Sequence, residues 1–180
     1  MAQTVLMGNV KCKGWVWALL AAGALGGAEA PGPCGGAGYG ALNFWIGDWN
    51  VSDSDGVGRS KVELGLNGCE VTETWSAGKF GGSNVHAYSA EEKRWRQLNV
   101  DNHGHAHVFE GTAGERGLEY SGVSKNEGGG DVLHRMEIVK EGNDRVKVWW
   151  RKSADSGKTW TTAYEAIYTR TESANQSQYK

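Results

Sequence analysis

No proline occurs between Cys34 and Lys180; the only two, Pro31 and Pro33, precede this stretch. Proline removes a ladder N–H, so a long proline-free chain keeps every residue able to pair with a neighbouring strand. Over the same stretch, short alternating runs rich in Val, Thr, Trp, Tyr and Phe are separated by turns that mostly contain Gly, Asp or Asn. Such spacing is the signature of an all-β chain. It predicts ten strands, at 43–52, 57–66, 69–77, 82–90, 94–101, 105–112, 116–124, 131–140, 145–152 and 159–170. The breaks include Asn67-Gly68, Asn102-His103-Gly104 and Asp155-Ser156-Gly157. They suit hairpins and leave no room for crossover helices, and no window shows a helical apolar stripe.

Ten consecutive hairpin-linked strands raise the question of edges. Closing the sheet on itself removes them, whereas a two-sheet sandwich calls for longer Greek-key connections than the chain contains beyond 125–130. The expected fold is therefore an antiparallel up-and-down β-barrel of about ten strands spanning 43–171. A length of 180 residues suits one domain of ordinary size and argues against a second packed core. A formal net charge of −2 gives no basic stripe, so nucleic acid is not an expected partner.

The N-terminus reads as a targeting segment. Lys11 and Lys13 precede an uncharged run from Gly14 to Ala28 that is too short to span a bilayer, and small residues follow. Residues 1–30 are thus expected to be a signal peptide, cleaved after Gly26/Ala28 in preference to Ala28/Ala30; an uncleaved anchor is the alternative. The expected destination is periplasmic or secreted, with no stable membrane insertion after cleavage. Residues 31–42 are expected to form an entry segment and 172–180 a polar, disordered tail. Cys34 and Cys69 stay with the mature chain, where an oxidising compartment favours a disulfide over two separate thiols.

Several motifs carry a resemblance. Gly47-Asp48-Trp49 resembles the glycine-x-tryptophan opening of lipocalins and related barrels, in which the tryptophan plugs one end. A longer pattern is similar to a family of exported bacterial proteins of unknown function: Phe44-Trp45-Ile46-Gly47-Asp48-Trp49, Gly68-Cys69, Glu73-x-Trp75, Tyr88, Trp95-x-Gln97, Val100-Asp101 and Lys158-Thr159-Trp160. This resemblance covers about residues 40–170 and implies a lipocalin-like barrel, with no catalytic residues to carry over. Haem-binding nitrobindin barrels share the aromatic opening but not the rest. Ser153-Ala154-Asp155-Ser156-Gly157-Lys158-Thr159-Trp160 fits the Asp-box, which carbohydrate-active propellers use in several copies. A single copy reads as a self-bonded hairpin, with Trp160, like Trp49, in a structural role.

Alternation sorts residues by face. In the third strand Cys69, Val71, Glu73 and Trp75 share a face, and in the fifth Trp95, Gln97, Asn99 and Asp101 do. A lumen mixing Glu73, Trp75, Tyr88, Trp95 and Gln97, with Arg135 in reach, suits a small amphipathic or aromatic ligand. The competing arrangement is a filled barrel in which Glu73 pairs with Arg135 or Arg151. A second function is an isomerase, cyclase or hydrolase using Glu73 as general acid or base with Asp101 or His86. A weaker one is metal binding by His105 and His107, which alternate beside His103. No cofactor is expected, and Gly128-Gly129-Gly130 opens no helix that would cradle phosphate.

Overall fold

The computed structural model describes residues 33–171. The expected signal peptide, the first two residues of the entry segment and the tail at 172–180 lie outside the described residues. Ten strands follow one another: β1 Gly47–Asp53, β2 Gly56–Gly65, β3 Glu70–Ala77, β4 Phe80–Ser89 and β5 Arg94–Asp101, then β6 Ala106–Gly114, β7 Gly117–Lys125, β8 Asp131–Lys140, β9 Arg145–Ser153 and β10 Thr161–Arg170. Each pairs antiparallel with its sequence neighbour, and β1 pairs with β10 from Trp49↔Arg170 to Asp53↔Ala166, so the sheet is a closed up-and-down barrel. The all-β up-and-down barrel expected from the alternation is the one formed, and it agrees with the lipocalin-like fold that the resemblance implies.

Alternation along each strand sends one set of side chains inward. In β5, Trp95, Gln97 and Asn99 are buried while Arg96, Leu98 and Val100 face outward. Inward glycines make room for rings. A Cβ on Gly111 would meet the Tyr120 ring at 2.5 Å, and one on Gly82 the Trp75 ring at 2.8 Å. Each glycine lies opposite that aromatic residue in the ladder, so the ring covers the bare backbone.

The first strand begins later than the expected 43–52. Tyr39–Trp45 instead forms a 3-10 helix, and β1 starts at Gly47. Leu42 and Trp45, three apart, fall on one face of a three-residue turn and are both fully buried. Gly47, at φ 134°, then turns the chain into the strand. The helix crosses one end of the barrel, because the Trp45 ring lies 5.6 Å from His86 on β4 and 5.7 Å from Tyr168 on β10. Trp49, wholly buried, donates its indole N–H to the Trp45 carbonyl at 2.8 Å. Cys34 and Cys69 form the expected disulfide at this same closed end, tying the entry segment to the approach of β3. Full burial of each such large apolar side chain contributes about 1.5–3 kcal/mol, so this end is the stable floor of the barrel.

The opposite end carries the β1–β2, β3–β4, β5–β6, β7–β8 and β9–β10 turns. The Asp-box forms the last of these. Asp155 accepts from the Ser153 hydroxyl at 2.7 Å and from the Thr159 backbone N–H at 2.9 Å, and Trp160 donates to the Gly157 carbonyl at 3.1 Å. These bonds are internal to the hairpin, which accounts for the motif without a ligand.

Candidate functional site

A cavity of about 320 Å³ runs from the open end down to Trp45. Its two walls differ in chemistry. Glu73 of β3, Asn84 of β4, Gln97 and Asn99 of β5 and Tyr168 of β10 supply a polar wall, whereas Met136, Ile138, Val148 and Trp150 of β8 and β9 supply an apolar one. Trp75, Phe80, Tyr164, Asp53, Asp55 and Asp101 frame its upper part.

The polar wall follows from register. Val62↔Glu73↔Asn84↔Asn99 is a row of laddered positions across four strands whose side chains all point inward, the last three of them polar. Asn99 donates to the Asn84 carbonyl oxygen at 2.6 Å, and Asn84 donates to Glu73 Oε2 at 2.6 Å. Ser60 donates its hydroxyl to Glu73 Oε1 at 2.7 Å. Two of these bonds end on the carboxyl, and the third holds the Asn84 amide that supplies one of them. Glu73 is only 1% exposed, and burial pushes its carboxyl up from the ordinary range, opposed by the Ser60, Asn84 and Tyr168 bonds. Three further buried polar atoms of the lining have no hydrogen-bond partner, the Gln97 Oε1 acceptor, the Trp45 Nε1 donor and the Tyr164 hydroxyl.

The expected site residues divide. Glu73, Trp75 and Gln97 line the cavity, and Asp101 stands at its rim, where its Oδ2 lies 2.8 Å from His105 Nδ1. Tyr88 and Trp95 face inward but sit below the cavity, packed on each other at 5.7 Å, with Tyr88 also against Tyr39 of the helix at 5.1 Å. They belong to the floor and not to the ligand space. Arg135 is on the outside, since its neighbour Met136 takes the inward position, and its guanidinium covers the Trp160 ring at 4.5 Å. Arg151 pairs with Glu137 at 2.8 Å on the outer face too. The Glu73–arginine pair of a filled barrel is therefore not formed.

His86 does not work with Glu73 either. Its Nδ1 lies 2.9 Å from the Tyr120 hydroxyl, and burial lowers its pKa to about 3. His105 and His107 lie at the mouth with their rings 6.4 Å apart. Among the described residues, no group of three or more His, Cys, Asp or Glu is placed to hold a metal ion. His107 instead packs on His134 and Trp150.

Asn84, Tyr164 and Tyr168 were not singled out from the sequence. Alternation on β4 and β10 carried the signal, because Asn84, His86 and Tyr88 share one face and Tyr164, Ala166 and Tyr168 another.

A closed ten-stranded barrel with a two-faced lumen defines a lipocalin-like architecture with room for one small molecule. No family model and no curated protein matches the chain. Among the described residues, no helix is long and apolar enough to cross a membrane.

Proposed function

We propose that the barrel is an exported small-molecule-binding protein that holds one amphipathic or aromatic ligand in its lumen. One observation carries this reading: the cavity sets hydrogen-bonding groups on one wall against Met136, Ile138, Val148 and Trp150 on the other. Small-ligand sites have this composition, in which apolar area supplies affinity and a few polar groups set orientation. Export is supported by the basic and apolar N-terminal pattern and by a disulfide, which persists in oxidising compartments. Membership of the exported bacterial family is supported by the Phe44–Trp49 motif and the spacing of Glu73, Trp75 and Trp95.

The neutral fluorophore N-phenyl-naphthylamine tests the lumen. Saturable binding that quenches tryptophan emission, weakened by Ala163→Trp at the cavity mouth, is the expected result. A barrel that neither binds the probe nor responds to Ala163→Trp overturns the reading.

The enzymatic alternative keeps one supporting observation, a buried Glu73 carboxyl with a raised pKa facing a cavity. Its test is substrate turnover that Glu73→Gln abolishes while probe binding stays near normal.

A further inference from the structure

We infer that the lumen is built for an organic cation, an amine carrying an apolar or aromatic body, whose ammonium docks between the Glu73 carboxylate and the Gln97 side-chain oxygen. This rests on the reading of the lumen as a ligand site and names the class of ligand.

The charge balance of the cavity is one-sided. Asp53, Asp55, Glu73 and Asp101 line it, and among the described residues no Lys, Arg or His does. Asp53 and Asp101 are partly occupied already. Asp53 accepts backbone N–H groups of its own turn at 2.8 and 3.0 Å, and Asp101 is engaged by His105. Glu73 is different, because it is deep, and its ion-pair partner is missing among the described residues. A buried carboxylate is stabilised only when hydrogen-bonded and countercharged. Ser60 and Asn84 supply the hydrogen bonds, and the Asn99–Asn84 bond aligns the second donor. The countercharge is left to the occupant.

Gln97 supplies the independent observation. It is 2% exposed, it lines the cavity, and its Oε1 accepts no hydrogen bond. A buried acceptor left bare costs free energy that a donor from the occupant recovers. Gln97 lies on β5 two residues from Asn99 on the same inward face, opposite His86, and so in the inward row next to the Glu73–Asn84–Asn99 row. An ammonium has three donors and no acceptor, which matches a carboxylate and a bare amide oxygen. The frame suits the same guest, since Trp75, Phe80, Trp150 and Tyr164 offer ring faces that attract a desolvated cation. At the floor, the unpartnered Trp45 N–H favours an acceptor on the far end of the body.

The experiment compares three molecules of one shape: tyramine, neutral tyrosol and anionic para-hydroxyphenylacetate. Each is titrated by calorimetry into wild type, Glu73→Gln and Gln97→Leu. Tyramine should bind wild type at least about tenfold more tightly than tyrosol, since a charge-assisted contact is worth that much, with para-hydroxyphenylacetate weakest. Glu73→Gln should bring tyramine to within about threefold of tyrosol, and Gln97→Leu should lower tyramine affinity while affecting tyrosol less. The wild-type comparison stands even where a variant fails to fold. Equal or tighter binding of tyrosol or the anion overturns the cation assignment and leaves lumen binding intact. Silence from all three beside a positive naphthylamine signal overturns the assignment alone. Silence from all four removes the lumen reading with it.

Discussion

The indole N–H of Trp150 donates to Nδ1 of His134 at 3.0 Å, while Nε2 of the same ring lies 2.7 Å from the Ser124 hydroxyl. An indole nitrogen only donates, so Nδ1 is bare and the proton sits on Nε2. Trp150 lines the cavity, and His134 thereby fixes the position of one ligand-facing ring. Protonating His134 breaks this bond.

Burial first, then the neighbouring His107 and Lys152, lower the His134 pKa from 6.5 to about 4. As pH falls, the unfolded chain takes this proton before the folded one does. The stability held by neutral His134 is therefore complete above about pH 6.5 and lost progressively toward about pH 4. Urea denaturation across that window should show a smaller pH dependence in His134→Gln than in wild type. Parallel pH profiles would count against the role. His134→Leu leaves the Trp150 N–H without its acceptor and should cost about 1–3 kcal/mol, with a shift in tryptophan emission.

Arg170 closes the barrel chemically as well as by register. Its guanidinium lies 4.2 Å over the Trp49 ring and donates to the Ile46 and Phe44 carbonyls at 2.9 and 3.1 Å. The planar fork serves all three contacts together, which an ammonium cannot reproduce. Arg170→Ala should cost about 2–4 kcal/mol, and Arg170→Lys should recover less than half of it. Thermal melts of the three proteins measure this; full recovery by lysine would show that charge alone matters.

The Cys34–Cys69 bridge spans 35 residues of sequence and staples the segment ahead of the 3-10 helix. Cross-links of this kind stabilise by about 2–4 kcal/mol, chiefly by restricting the unfolded chain. Reduction, or Cys34→Ser, should lower the unfolding free energy by that amount, and intact mass before reduction should fall short by two hydrogens. A barrel equally stable when reduced would mean that the helix holds its place through Leu42 and Trp45 alone.

These residues also show how far the sequence reaches. Period-two alternation and the turn residues identify the strands, and the proline-free stretch anticipates closure, because both depend on local backbone chemistry. The start of β1 is not legible in the sequence, because 43–46 is apolar enough for a strand, while the pull of Trp45 into the barrel end is tertiary. Glu73, Trp75 and Gln97 were legible because alternation separates faces. Alternation does not give height along the barrel, so Tyr88 and Trp95 share the face of Gln97 yet lie in the floor. Asn84 and Tyr168 became partners of Glu73 through cross-strand register and closure of the sheet, which no single strand encodes.

Glu73 provides the last test, because its sign is opposite to that of His134. Burial holds its folded pKa above the unfolded value of 4.5 despite the bonds from Ser60, Asn84 and Tyr168. As pH rises, the unfolded chain releases this proton first, so the stability tied to the protonated carboxyl is complete below about 4.5 and lost as pH rises through the folded pKa. Glu73→Gln cannot ionise. The stability of wild type minus that of Glu73→Gln should therefore decline from pH 4.5 upward, whatever constant offset the amide introduces at Asn84. Saturating tyramine should flatten this decline in wild type, because the ammonium favours the ionised carboxyl, and tyrosol should not. A difference that stays constant above pH 4.5 would mean that the Ser60, Asn84 and Tyr168 donors at least offset burial and keep the carboxyl ionised without help.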